Sequence, residues 1–258
     1  ATHAFTNFAG FVQYGSELVP AALIAIGCAF LLTALPVADG EINRRSLFLA
    51  GVMFGAAPFA KIQSAPLAAW GLAGGAVVLV APGVNTWRER RAKIWPLVLG
   101  GLTVPVAFFF WVCVDGLLPD FWRSYILNNA QYAGARWFDW SDGPMKYLEL
   151  ARGAGGTDRY LVWMGTLALV GLLWWRSYSE VHRRTLLFAV GMVAAALYAV
   201  MAPGKLFAHY LQLLLFPVGL LAGLVTGRCS NALKEKVSDH VAGGWAVAAS
   251  RQCLRMSC

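Results

Sequence analysis

Seven long apolar stretches, separated by loops that carry most of the charge, constrain this 258-residue chain more than any other feature. A helix that crosses a bilayer needs about 20 predominantly apolar residues. A backbone in lipid must also satisfy its own hydrogen bonds, which favours helices. We therefore predict an all-α, polytopic transmembrane bundle of about seven spans, at roughly residues 18–37, 46–60, 66–82, 96–117, 159–175, 185–202 and 209–226.

The overall composition argues against a soluble fold. The chain is 59% hydrophobic and only 13% charged, and its mean hydropathy is +0.59. Soluble domains average about 45–50% apolar and about 25% charged residues. The glycines Gly71, Gly74, Gly75, Gly100 and Gly101 fall inside predicted spans, where small residues let helices approach closely.

The basic residues predict an orientation, because short cytoplasmic loops are enriched in Lys and Arg. With Ala1 outside, fourteen of the 21 basic residues fall inside, but only six of the 13 acidic ones, so the inner face carries the whole net charge of +8. We predict a cytoplasmic-membrane protein with a transmembrane domain over 1–226 and a cytoplasmic tail over 227–258. The inner basic residues are Arg44, Arg45, Arg88, Arg90, Arg91, Lys93, Arg176, Arg183, Arg184, Arg228, Lys234, Lys236, Arg251 and Arg255.

This arrangement also bears on partners and metals. The Arg clusters flank spans, so anionic lipid headgroups are their expected partner, and nucleic acid is not. The five Cys and four His residues show no paired spacing or metal motif. We therefore expect no metal site and no self-contained hydrolase.

The sizeable outer loop, 118–158, is rich in aromatic residues. Its sequence LPDFWRSYILNNAQYAG predicts an amphipathic helix capped by Asp120, then a turn at 141–144 and another short helix. Such a loop can be a lid on the membrane surface. Alternatively, its aromatic residues only anchor the flanking spans at the interface.

Three polar groups near the outer ends of spans are candidate site residues, because polar groups at membrane depth are costly unless they are paired. The first is Glu17, in QYGSELVPAALIA, with Ser16 as the predicted N-cap. A carboxylate in a first helical turn is stabilised by the helix dipole by about 0.3–1 kcal/mol. Helix capping is therefore the alternative explanation for Glu17.

The second group is Lys61 with Gln63, in AAPFAKIQSAPLAAW, between two prolines. Fifteen helical residues rise only about 22 Å, which is less than the ~30 Å hydrocarbon core. Lys61 therefore lies below the outer headgroups, or the helix breaks near Pro58. A binding role is one reading, and snorkelling of the lysine to a lipid phosphate is the other.

The third group lies in MAPGKLFAHYLQLL, where Lys205 precedes His209 and Tyr210. A cation, an imidazole and a phenol at one helix start can clamp a phosphate. Interface anchoring is the alternative explanation for Lys205 and Tyr210.

Taken in order, four segments resemble the later portion of GT-C type integral-membrane glycosyltransferases: YGSELVPAALIA, GVMFGAAPFAKIQSAPLAAW, VDGLLPDFWRSYILNNAQYAG and APGKLFAHYLQLLLFPVGLLAG. More narrowly, the chain resembles the bacterial branch related to protein mannosyltransferases and lipid A aminoarabinose transferases. The resemblance covers most of residues 10–226.

The resemblance implies that a sugar is transferred from a polyprenyl-phosphate donor to a lipid, glycan or protein acceptor at the outer face. It implies that Lys61, with Gln63 nearby, neutralises the donor phosphate, and that Lys205, His209 and Tyr210 complete the phosphate-binding pocket. It gives Glu17 contacts to the sugar or acceptor and leaves the use of a divalent cation open.

The same resemblance places the catalytic carboxylate in a first outer loop, which is expected upstream of Ala1. The chain starts without Met or a signal sequence, and its number of spans is odd, which predicts an upstream segment. Two other functions are kept as alternatives: a secondary transporter, and a noncatalytic membrane scaffold or truncated product.

Overall fold

The computed structural model describes residues 17–35, 42–80, 87–134, 143–153, 156–173, 175–203 and 207–227, and every regular element in them is helical. Short 3-10 turns over Ile62–Ser64, Trp175–Ser177 and Ala208–Leu211 precede the helices that begin at residues 65, 180 and 212. The predicted all-α class is therefore confirmed. The helices are α1 Leu18–Ala34, α2 Arg44–Ala60, α3 Ala65–Leu79, α4 Trp87–Val114, α5 Leu118–Phe121 continuing through Trp122–Leu127 to Asn128–Gly134, α6 Gly143–Gly153, α7 Thr157–Leu172, α8 Glu180–Met201, and α9 over 212–227.

Within these residues, four helices are long and apolar enough to cross a membrane: Ile62–Leu79, Arg91–Val114, Glu180–Met201 and His209–Gly227. Leu18–Ala34 is apolar but shorter. These helices also expose large apolar side chains, since Phe110 on α4 is 71% exposed and Leu187 on α8 is 55% exposed. Apolar surface this extensive marks a protein covered by another apolar phase. The helices therefore indicate a membrane protein.

The helix ends follow local capping chemistry. At the start of α2, the Asn43 side chain accepts hydrogen bonds from the backbone of Arg45 and Ser46, at 3.1 and 3.2 Å. At the start of α8, Ser179 accepts one from His182 N at 3.4 Å. The predicted caps Ser16 and Asp120 are displaced: Glu17 is the N-cap of α1, and Asp120 lies in the first turn of α5, whose N-cap is Leu117.

Different helix ends meet at the two ends of the bundle. At one end, Arg184 at the start of α8 donates to the carbonyl of Val80, just after α3, at 3.1 Å. At the other end, the start of α1, the end of α2 and the start of the last helix meet around Lys61. We refer to these as the Arg184 end and the Lys61 end.

The α2–α4 contact is extensive and depends on glycine. A Cβ placed on Gly51 or Gly55 would overlap the backbone carbonyl of Leu97 or Gly101, and one on Gly100 would overlap the carbonyl of Phe48. The two backbones are therefore in direct contact, as small residues permit in membranes. Gly100 has the predicted packing role, and Gly51 and Gly55 are two further positions where the backbones approach closely.

Two large side chains tie the remaining helices to this pair. The fully buried ring of Phe54 fills the space left by Gly27 on α1 and Gly71 on α3. The Trp70 indole lies against Gly191 on α8, and its Nε1 donates to the carbonyl of Phe188 at 2.9 Å. These contacts hold α1, α3 and α8 in register, and with them the residues at the Lys61 end.

Candidate functional site

Lys61 lies where α2 ends, in an ordered turn between two helices. Its backbone is extended, with φ −161° and ψ 126°, and its N–H still donates to the Ala57 carbonyl at 3.2 Å. Its own carbonyl accepts from Ser64 Oγ at 2.8 Å and from Ser64 N at 3.0 Å. The turn is therefore held on both sides, which fixes the point from which the lysine side chain leaves the backbone.

Glu17 faces this lysine. The Glu17 side chain is 1% exposed and makes no capping hydrogen bond to α1. Its carboxylate instead forms an ion pair with Lys61 Nζ, and its Oε1 lies 3.5 Å from His209 Nε2. Glu17 is thus the N-cap residue of α1 without a side-chain capping hydrogen bond, and its carboxylate contacts Lys61 and His209.

Aromatic rings enclose the ion pair. Lys61 Nζ lies 5.1 Å from the centroid of the buried Tyr210 ring, within the range of a cation–π interaction. The His209 ring packs edge-on against Tyr210 at 4.8 Å and is stacked on Phe207 at 5.2 Å. We call Glu17, Lys61, His209 and Tyr210 the Glu17 cluster.

The cluster offsets the cost of burying the Glu17 carboxylate. An isolated carboxylate away from water is strongly unfavourable, and an ion pair with hydrogen bonding offsets that cost. Lys61 supplies the opposite charge, and its side chain remains 18% exposed, while that of His209 remains 40% exposed. The two nitrogen groups are thus reachable from outside, whereas the carboxylate behind them is not.

An apolar cavity of about 380 Å³ adjoins the turn that follows Lys61. The carboxamide oxygen of Gln63 is buried there and accepts no hydrogen bond within the part of the chain that the structure describes. Asn129 supplies a second amide, whose Nδ2 donates to the Tyr125 carbonyl at 2.6 Å. The cavity is bounded by α3, α5 and the end of α8, through Ile62, Gln63, Tyr125, Ile126, Asn129 and Pro203.

Helix α5 is attached over this cavity by Tyr125. The Tyr125 hydroxyl donates to the carbonyl of Pro58 in the last turn of α2, and its ring stacks on Phe121 at 5.2 Å. Phe121 in turn contacts Phe108 and Phe109 on α4. Burial raises the pKa of the Tyr125 phenol, so the group stays neutral and remains a donor. Its turn is π-helical, a form that is frequent at functional sites.

Replacing Tyr125 with phenylalanine is expected to loosen α5. The change removes the donor to Pro58 and should destabilise this attachment by about 0.5–1.5 kcal/mol. Hydrogen exchange of residues 118–134 should become faster while that of α3 does not change. Tyr198→Phe, on an exposed face of α8, is the control. Equal exchange in both variants would show that the phenol does not attach α5.

Of the predicted site residues, the structure brings Glu17, Lys61, His209 and Tyr210 into one cluster and puts Gln63 in the adjoining cavity. Lys205 and the tail beyond residue 227 lie outside the described residues. The sequence did not single out Asn129 or Tyr125 as cavity residues, although both lie in the predicted aromatic helix. Within the described residues, no group of three His, Cys, Asp or Glu side chains is placed to hold a metal.

Comparison of the chain with protein-family models, curated proteins and solved structures finds no match. The functional argument therefore depends on the Glu17 cluster and its cavity.

Proposed function

We propose that this chain binds a polyprenyl-phosphate-linked sugar at the outer face of the cytoplasmic membrane and takes part in its transfer to a lipid, glycan or protein acceptor. The observation that supports this most is the position of the Glu17 cluster, which lies beside an apolar cavity at one end of an apolar helix bundle. An amphiphilic donor needs both a cationic contact and an apolar one.

Each part of such a donor has a counterpart in the site. The Lys61 ammonium and the His209 imidazole are the groups proposed to contact the phosphate, and the cavity beside Gln63 takes the first isoprene units. Lys205 lies in the same segment as His209 and is proposed as a second cation. Cations near the phosphate would stabilise the negative charge that grows on the leaving group during sugar transfer.

The charge distribution supports the proposed orientation. Arg184 and Arg183 lie at the Arg184 end, where both pair with Glu180 at 3.0–3.1 Å. Short basic segments favour the cytoplasmic side. We propose seven spans in total, which would put the Lys61 end, with its cluster and cavity, at the outer face. Helix α5 would then lie beside the donor as a lid.

The test measures binding of farnesyl phosphate, a short polyprenyl phosphate, to the protein in detergent micelles, with farnesol and inorganic phosphate as comparison ligands. We expect farnesyl phosphate to bind at least about tenfold more tightly than either, because only it engages both the cluster and the cavity. Equal binding of farnesyl phosphate and farnesol would contradict the proposal and favour a scaffold or transporter.

Two variants separate the two contacts. Glu17→Gln/Lys61→Met removes both charges of the ion pair and should weaken farnesyl phosphate binding at least about tenfold. Ala202→Phe, which adds a ring at the cavity wall, should weaken farnesyl phosphate but leave inorganic phosphate unchanged. Arg159→Ala removes an exposed cation from the first turn of α7 and is the control, with no change expected.

A further inference from the structure

The carboxylate of Glu17 occupies the same position that the proposed function gives to a phosphate. It pairs with Lys61 and lies 3.5 Å from His209 Nε2, so it already contacts both groups that an incoming anion would use. Two anions that share these partners would lie within a few ångströms of each other and repel strongly in a partly buried site. The carboxylate and a bound phosphate therefore compete.

We infer that Glu17 holds the anion site closed, and that an anionic phosphate headgroup binds by displacing the Glu17 carboxylate from Lys61 and His209. This inference depends on the proposed function, because it describes how the same site is regulated. It assigns Glu17 an inhibitory role, in contrast to the sugar or acceptor contact that the family resemblance implies.

The geometry of the cluster allows the exchange. Glu17 is the N-cap of α1 and makes no side-chain capping hydrogen bond, so moving its carboxylate away from Lys61 does not remove a cap from the helix. The Lys61 ammonium has three donors on a flexible stem, and its side chain is partly exposed. The 3.5 Å separation from His209 is longer than a usual hydrogen bond, which leaves the imidazole able to turn to a ligand.

The competition between Glu17 and a bound phosphate should depend on pH. Lys61 and His209 are charged or titratable groups that contact Glu17 among the described residues, and the Tyr210 ring lies beside Lys61. A protonated Glu17 no longer competes for the lysine, and a protonated His209 adds a positive charge. A phosphate monoester itself takes up a proton at about pH 6, so the contribution of Glu17 is measured as the difference in affinity between wild type and Glu17→Gln, in which the ligand's own titration cancels.

The experiment compares wild type with Glu17→Gln and Glu17→Asp, using calorimetric titration with farnesyl phosphate and with inorganic phosphate. Glu17→Gln removes the charge and keeps the shape and an oxygen for Lys61. We expect it to bind farnesyl phosphate at least about tenfold more tightly than wild type, with Glu17→Asp close to wild type. Size-exclusion profiles check that all three proteins are folded.

The pH series, from about 5 to 8, supplies the second readout. The affinity advantage of Glu17→Gln over wild type should be largest at high pH, where Glu17 is charged, and should narrow towards low pH as Glu17 takes up a proton. Comparing Glu17→Gln/His209→Gln with Glu17→Gln shows how much of the remaining pH dependence comes from His209. A merely structural Glu17 would leave the pH profile of Glu17→Gln parallel to that of wild type.

The outcomes separate this inference from the proposed function. If wild type binds farnesyl phosphate and Glu17→Gln binds it no more tightly, the competition is wrong and the proposed function stands. If neither protein binds either phosphate, both this inference and the proposed function are wrong. If Glu17→Gln binds both probes more tightly than wild type does, the competition is upheld. The ligand is then free phosphate if farnesyl phosphate binds no more tightly than inorganic phosphate, and a lipid-linked phosphate if it binds more tightly.

Discussion

Replacing Lys61 with alanine is expected to destabilise the folded protein by about 3–5 kcal/mol, the usual cost of removing one partner of a buried ion pair. The reason is Glu17, which is 1% exposed and would keep its charge next to His209 without the lysine. Unfolding in mixed micelles, followed by the fluorescence of the eleven tryptophans, measures the change.

The paired variant Glu17→Gln/Lys61→Met is the control for this prediction. It removes both charges together, so no carboxylate is left uncompensated, and replacing a whole buried pair is often neutral. Its stability should lie much closer to wild type than that of Lys61→Ala. Equal losses in the two proteins would show that the lysine stabilises the fold by packing on Tyr210 rather than by pairing with Glu17.

Replacing Gly51 with leucine is expected to disrupt the bundle. A side chain at Gly51 meets the backbone of α4 at Leu97, and backbone atoms cannot turn aside as a flexible side chain can. Overpacking usually costs about 1–3 kcal/mol, and we expect this substitution to exceed that range because α2 and α4 must separate. Loss of the folded species in the same unfolding assay would be the readout.

Gly165→Leu is the matched control for Gly51→Leu. Gly165 lies in α7, and no described heavy atom comes within 4 Å of a Cβ added there. Both substitutions add the same side chain and the same gain in helix propensity, so their difference reports the contact alone. Similar stabilities for the two variants would show that the α2–α4 contact is not close in the folded protein.

Several helix positions could be predicted from hydropathy, but their ends could not. The first span was predicted at 18–37 and the helix is Leu18–Ala34, whereas the fourth was predicted at 96–117 and the helix is Trp87–Val114. Hydropathy detects only apolar residues, and α4 continues through a charged turn that includes Arg88 and Lys93. Likewise α8 begins at Glu180, five residues before the apolar stretch, because Ser179 caps it there.

For the candidate site, residue type and position at a predicted span end were enough to select Glu17, Lys61, His209 and Tyr210. They could not show that Glu17 and Lys61 form an ion pair with each other. The sequence reading placed Glu17 on the sugar or acceptor and Lys61 on the phosphate, as separate contacts. The structure shows the two in one ion pair, which changes the charge that a ligand would meet.

The sequence by itself determined that this chain is helical and suited to a membrane, because long apolar segments and internal backbone hydrogen bonding are local properties. It also selected polar residues at span ends, where burial without a partner is costly, as candidate site residues. Only the tertiary structure decided that Glu17 compensates Lys61, that Gly51 and Gly55 lie against α4, and that Tyr125 attaches α5 beside the cavity. These contacts join residues that are far apart in the chain. Helix packing determines which of them meet, and no local sequence pattern encodes that packing.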